Sequence, residues 1–244
     1  MSARQPHETA SREDWLAARK ALLAEEKALS RQRDRVAALR RALPWVPVDK
    51  DYRFEAPEGP LGLTELFEGR SQLVVYHFML TPGSDHICPG CSFLSDHVDA
   101  ARQHFEQADL SFAAVSRAPL AQIEPVRKRM GWTFRWVSSF GSDFNVDFGV
   151  SFSEAEVAAG AKRYNYGSGT AWHDLPGASV FARGDDGRIY HSYSTYARGG
   201  DLLIGAFNWL DLVPKGRNEA TTMSWVRLHD EYETSRDTGC CGSH

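Results

Sequence analysis

The run Leu73 to Leu80 (LVVYHFML), interrupted only by His77, constrains the fold of this chain more than any other stretch. Its length and β-branched content suit a strand covered on both faces, the environment of a parallel sheet flanked by helices. The neighbouring patterns agree. Pro89 to Gln107 reads as a helix and Leu110 to Val115 as a second buried strand. Leu120 to Met130 reads as another helix, with Pro125 either kinking it or marking its start, and Phe134 to Val137 as extended. Ser179 to Ala182 and Arg188 to Tyr193, joined by Gly184-Asp185-Asp186-Gly187, read as a hairpin. A helix near Asp201 to Leu212 closes the pattern at Pro214. Strand–helix–strand–helix, then hairpin, then helix, is the signature of an α/β sheet with helices on both faces.

Upstream, Glu13 to Leu43 contains no Gly or Pro and reads as one long helix, with Ser11 and Asp14 as a weak capping signal. Trp15, Leu22, Leu29, Val36 and Leu43 recur every seven residues, while Ala18, Glu25, Gln32 and Leu39 fill the companion position poorly. The stripe suits packing along the chain's own domain or a neighbouring subunit, and self-association through this helix is expected. Three segments follow: an N-terminal helical arm at 1–47, an α/β domain at 48–214, and an extension at 215–244 that begins partly extended and ends in a polar tail.

The chemistry concentrates in the cysteines. Among 244 residues there are four, in two close pairs, Cys88/Cys91 and Cys240/Cys241. A disulfide scaffold spreads its cysteines to staple distant loops; tight pairs point to redox or soft-metal chemistry. Cys88-Pro89-Gly90-Cys91 falls where the buried strand, after the polar loop Thr81 to His86, gives way to a helix. Pro89 suits the first helical position. Cys88 then lies at the helix N-terminus, where unpaired N–H groups and the positive dipole end favour a thiolate. One turn on, Cys91 shares a face with Leu94, Val98, Ala101 and Phe105. Periodicity therefore predicts an exposed, attacking Cys88 and a buried, resolving Cys91, which exchange through a mixed disulfide requires. The competing reading is a soft-metal (zinc or copper) binding protein or metallochaperone using Cys88, Cys91 and His86, with Asp85 adjacent; zinc, however, usually takes four ligands. A third reading is a non-enzymatic protein that docks through its first helix.

With net charge −4, no bulk positive field draws the chain to nucleic acid or to an anionic membrane. No apolar stretch reaches the length of a membrane span, and MSARQPHETASRED lacks the apolar core of a secretory signal, so a cytoplasmic protein is expected. His77 reads as a hydrogen-bonded core histidine, and His97 and His104 as solvated. Trp132, Trp136, Phe140, Phe144 and Phe148 read mainly as core or pocket wall, and Asp143 and Asn145 as turn residues. Arg117, just past a strand end, is a candidate anion contact.

The runs YHFMLTPGSDHICPGCSFLSDHVD, AAVSRAPLAQIE, KRMGWTFRWVSSFGSDFNVDFGVSF and SVFARGDDGRIYHSYSTYARGGD resemble the bacterial family known as domain of unknown function 899. The similarity extends from about Trp15 to Tyr232. It implies a thioredoxin-like fold of the peroxiredoxin and thiol-reductase type. It also implies a dithiol–disulfide oxidoreductase that needs no cofactor and acts on a protein or small-molecule disulfide, with a thiol reductant as its second partner. Peroxiredoxins place a Thr three residues before the reactive Cys; Asp85 stands there here, which favours a thioredoxin-type dithiol over a peroxide site. Thioredoxin-like folds also carry a cis-proline beside the active Cys, just before the hairpin, and Leu175-Pro176-Gly177 is the candidate. Cys240 and Cys241, on a polar tail, are expected to exchange with the active pair.

Overall fold

In a computed structural model of the chain, which describes residues 8–160, 163–167, 169 and 172–232, Ser11 opens a 30-residue helix, α1 (Arg12–Arg41). The Ser11 hydroxyl accepts the Asp14 N–H at 3.1 Å and donates to the Asp14 carboxylate at 2.6 Å. Glu13 and Asp14 in the first turn and Arg40 and Arg41 in the last complement the helix dipole. No α1 residue is buried, and Trp15, Leu22 and Leu29 of the sevenfold stripe are about half exposed. The chain divides into two units, Met1–Pro44 and Trp45–His244. The boundary falls before the expected 47/48 because Val46 and Pro47 pair with a strand of the second unit.

That second unit is built on a sheet whose strands are β1 (Val46–Pro47), β2 (Arg53–Ala56), β3 (Gly59–Gly62), β4 (Gln72–His77), β5 (Leu110–Ser116), β6 (Arg135–Ser138), β7 (Gly177–Arg183) and β8 (Ile189–Tyr196). Their order is β1-β8-β7-β4-β5-β6-β2-β3. The helices are α2 (Pro89–Ser95), α3 (Val98–Phe105), α4 (Leu120–Arg129), α5 (Phe144–Asp147), α6 (Glu154–Ala158) and α7 (Gly205–Leu210). β4 lies in the interior, parallel to β5 from Gln72↔Leu110 to His77↔Val115 and antiparallel to β7 from Gln72↔Ala182 to His77↔Gly177. Alternation then sorts its side chains. Leu73 and Val75 join Val115, Val137, Phe144 and Phe181 on one face; Tyr76, with Phe78 just beyond the strand, joins Cys91, Leu94, Trp132 and Trp136 on the other.

Three expectations are corrected by tertiary contacts. The helix expected from Pro89 to Gln107 breaks at Asp96 and His97, and each of these side chains is bonded to distant chain. The Asp96 carboxylate accepts Trp132 Nε1–H at 2.8 Å and contacts His229 Nδ1 at 2.7 Å. His97 is not solvated: Nδ1 donates to the Phe93 carbonyl at 2.7 Å and Nε2 accepts the Ala206 N–H at 3.1 Å, joining α2 to α7. Nor do residues 215–232 stand apart. Val226 and Leu228 are buried in the core that holds Cys91, and Trp225 packs edge-on against Phe93 at 5.6 Å. Among the described residues no strand follows β8.

Candidate active site

Cys88 is the N-cap of α2, with extended backbone (φ −63°, ψ 114°) and Pro89 immediately after it. Its Sγ accepts the Cys91 N–H at 3.4 Å, in the place a serine or aspartate oxygen takes at an ordinary N-cap. The cap is secured from the other side by the Ser92 hydroxyl and N–H, both donating to the Cys88 carbonyl at 3.0 Å. Cys88 is partly exposed, whereas Cys91 is 1% exposed and sits under the helix, where its Sγ accepts the Met79 N–H at 3.5 Å. Both cysteines are free thiols.

The electrostatics separate the two sulfurs. Hydrogen bonding from the Cys91 thiol pulls Cys88 down to about 7, aided by the N–H groups of Cys91 and Gly90 and opposed by burial. Burial pushes Cys91 well up, and the neighbouring Cys88 adds to this; the Tyr76 hydroxyl is the chief favourable partner of a Cys91 thiolate. These effects favour the thiolate at Cys88 and the protonated thiol at Cys91. Tyr76, fully within the core, was read from sequence only as part of an apolar run; nothing in that run distinguishes its hydroxyl.

A cavity of about 320 Å³ opens beside the dithiol, lined by Cys88, Cys91 and Pro176 among others. Pro176 thus stands at the thiols, but its peptide bond is trans, since the described residues contain no cis peptide. The Pro176 carbonyl accepts the Tyr164 hydroxyl at 2.9 Å, the Leu175 N–H bonds the Val150 carbonyl at 2.8 Å, and Gly177 already begins β7 opposite His77. The chain is thus held on both sides of the proline as it enters β7.

The loops carrying Cys88 and Pro176 are tied together by a group absent from the sequence reading. Asp174, 6% exposed, accepts a bidentate pair from Arg117 at 2.9 and 2.8 Å, the Thr81 hydroxyl at 2.6 Å and the Ser151 hydroxyl at 2.6 Å. Burial opposes its ionisation, but the bonds from Arg117, Ser151 and Thr81 outweigh this and hold its carboxyl below the ordinary range. The anion expected for Arg117 is therefore internal.

The remaining candidates lie elsewhere. His77 is buried on the opposite face of the sheet, its Nε2 2.9 Å from the Ser179 hydroxyl. Trp132, Trp136 and Phe144 are core; Phe148 is partly buried, Phe140 exposed, and none of the five lines the dithiol cavity. Asn145 is more than a turn residue: it is buried and accepts the Ser139 hydroxyl at 2.6 Å, while Asp143 pairs with Lys50 at 2.7 Å. His86 is exposed, and among the described residues no three His, Cys, Asp or Glu side chains are grouped to hold a metal ion. Cys240 and Cys241 lie outside the described residues.

A parallel β4–helix–β5 unit joined on its other edge to the antiparallel β7–β8 hairpin, with a Cys-x-x-Cys at the first helix's N-terminus, defines a thioredoxin-like dithiol protein. The chain belongs to the family described as bacterial protein of unknown function (DUF899), which matches residues 4–232. No curated protein matches it. Solved structures similar to it include peroxidoxin BcpB from Mycobacterium tuberculosis, at 13% identity and TM-score 0.44, covering 69% of this chain and 96% of that one. A PrxQ mutant from Xylella fastidiosa is 13% identical with TM-score 0.43, covering 68% and 94%. A putative protein disulfide isomerase from Bacteroides thetaiotaomicron is 15% identical with TM-score 0.39, covering 72% and 94%. The fold class rests on the strand order and pairing above rather than on these likenesses.

Proposed function

We propose that the protein is a dithiol–disulfide oxidoreductase in which Cys88 attacks and Cys91 resolves. The observation that carries this reading is the cap itself: a partly exposed Cys88 Sγ taking the Cys91 N–H, above a buried Cys91 that keeps its proton. The Cys88 thiolate attacks one sulfur of a substrate R–S–S–R′, forming Cys88–S–S–R and releasing R′–S⁻, which takes a proton from solvent. Cys91 then loses its proton, with the Tyr76 hydroxyl beside it, and attacks Cys88 Sγ. Cys88–S–S–Cys91 forms and R–S⁻ leaves, taking up a proton. The substrate gains two electrons and the protein loses two; a thiol reductant restores the pair. No bound cofactor enters this sequence. The metal-binding reading draws no support from the grouping of side chains around His86.

A Cys91→Ser variant of the full chain tests the assignment. The first step proceeds and the second does not, so a mixed disulfide on Cys88 accumulates and is identified by mass spectrometry after acid quench. Adducts found on Cys240 or Cys241 but not on Cys88 would overturn it.

A further inference from the structure

We infer that the disulfide reduced at Cys88 carries an apolar arm, alkyl or aryl, which is held in the cavity beside the thiols. The inference rests on the exchange reading above and adds the substrate class. Tyr76, Leu94, Ala178, Leu203, Ile204 and Met223 make up much of the cavity wall, with Thr195 and Thr222 as uncharged polar lining, and the cavity reaches both Cys88 and Cys91. Its volume of about 320 Å³ lies at the small end of the roughly 300–1,000 Å³ of small-molecule sites. Arg198 and Asp201 are the charged residues among its described lining, and they are committed to each other at 3.3 Å. Asp201 also takes Arg217 at 3.0 Å, and the Arg198 side chain is 76% exposed. Apart from the Cys88 thiolate, which is used up in the attack, a disulfide bearing carboxylates or ammonium groups finds no inward counter-charge, and burying its charges there is unfavourable. An aliphatic or aromatic arm loses nothing polar and gains contact.

The wall opposite α2 is built for this approach. Met223 adopts a left-handed backbone (φ 59°), and the Glu219 carboxylate accepts its N–H at 2.7 Å. A Cβ on Gly90 would lie 3.2 Å from Met223 Sδ, so the glycine lets the thioether close over the first turn of α2. Cys88 Sγ would lie 3.9 Å from the same Cβ, which places the thioether wall next to the reacting sulfur. The arm lies against these walls while the substrate sulfur meets Cys88. Exchange follows the steps given above: one S–S bond breaks, one forms, and the departing R′–S⁻ is protonated from water.

The test is stopped-flow reduction of dimethyl, diethyl, dipropyl and dibutyl disulfide by the reduced full-length protein, each rate divided by that of dithiothreitol with the same compound. Each added methylene is expected to raise the normalised rate about two- to fourfold until the cavity is filled. Glutathione disulfide should fall below dibutyl disulfide. In Gly200→Leu the butyl-to-methyl ratio should collapse toward one, because a Cβ at Gly200 stands 3.6 Å from Leu94 Cδ1 and a larger side chain fills the space. Gly200→Ala, with a contact of ordinary length, should lower the ratio less and serves if the leucine variant fails to fold. Dibutyl sulfide, which cannot exchange, should protect Cys88 from iodoacetamide. Disulfide reduction without dependence on arm length, and without protection by the sulfide, overturns the apolar-arm assignment alone. Protection while no disulfide is reduced overturns the exchange reading and the substrate with it.

Discussion

The thiolate at Cys88 gives the sharpest numerical test of the site. A free cysteine with a pKa of ~8.5 is about 3% thiolate near pH 7, whereas Cys88, drawn down to about 7, is about half ionised. That is roughly sixteenfold more thiolate. A less basic thiolate is also a weaker nucleophile, by about four- to sixfold for this difference at a Brønsted slope of ~0.4–0.5. Partial exposure slows Cys88 by some constant factor at every pH, because it is geometric. When the iodoacetamide rate of Cys88 is divided by that of a free cysteine peptide, both constant factors enter the ratio equally at every pH and cancel when ratios at two pH values are compared. The ratio near pH 7 should therefore exceed the ratio near pH 10 by roughly sixteenfold. The largest cause of the lowering is the Cys91 thiol donating to Cys88, so Cys91→Ala should move the midpoint upward and cut that sixteenfold contrast severalfold. The helix N–H groups of Gly90 and residue 91 remain in the variant and keep the contrast above one. A variant that folds normally by circular dichroism and retains the full contrast would refute the thiol–thiolate bond as the cause. A wild-type contrast near one would refute the capped thiolate altogether.

Other consequences are checked by unfolding experiments. Asp174→Asn removes the charge that Arg117, Thr81 and Ser151 all address; with Arg117 partly solvated, the cost is about 2 kcal/mol, a Tm drop of roughly 4–8 °C. An asparagine variant as stable as the parent would mean that the clasp is not needed to join the two site loops. Burial pushes His77 down to about 3, with His191 adding to the effect, so the ring stays neutral in the fold and takes up a proton only on unfolding. Its contribution is unaffected above about pH 6.5, and stability falls as pH drops from there to about 3, by up to ~1.4 kcal/mol per pH unit. His77→Leu should flatten that slope in urea titrations; an unchanged slope would assign the acid sensitivity to other groups.

Much of the frame was legible in short stretches. The apolar run at 73–80, the hairpin around Gly184 to Gly187 and the helix cap at Ser11 are decided by neighbours within a turn or two, so periodicity and capping suffice to find them. The Cys88/Cys91 asymmetry belongs to the same class, because a step of three residues at a helix N-terminus places one sulfur at the cap and the other on the inward face. Tertiary structure decided everything that depends on chain brought in from far away. Arg117 meets Asp174 across 57 residues, and Asp96 meets His229 across 133; neither partner carries a local mark. The same distance effect broke the expected long helix at Asp96 and His97 and set Met223 over Gly90. Local pattern is a statement about which face of an element is apolar. It says nothing about which distant groups satisfy the polar atoms that the chosen faces bury, and that pairing is what shapes the cavity beside the dithiol.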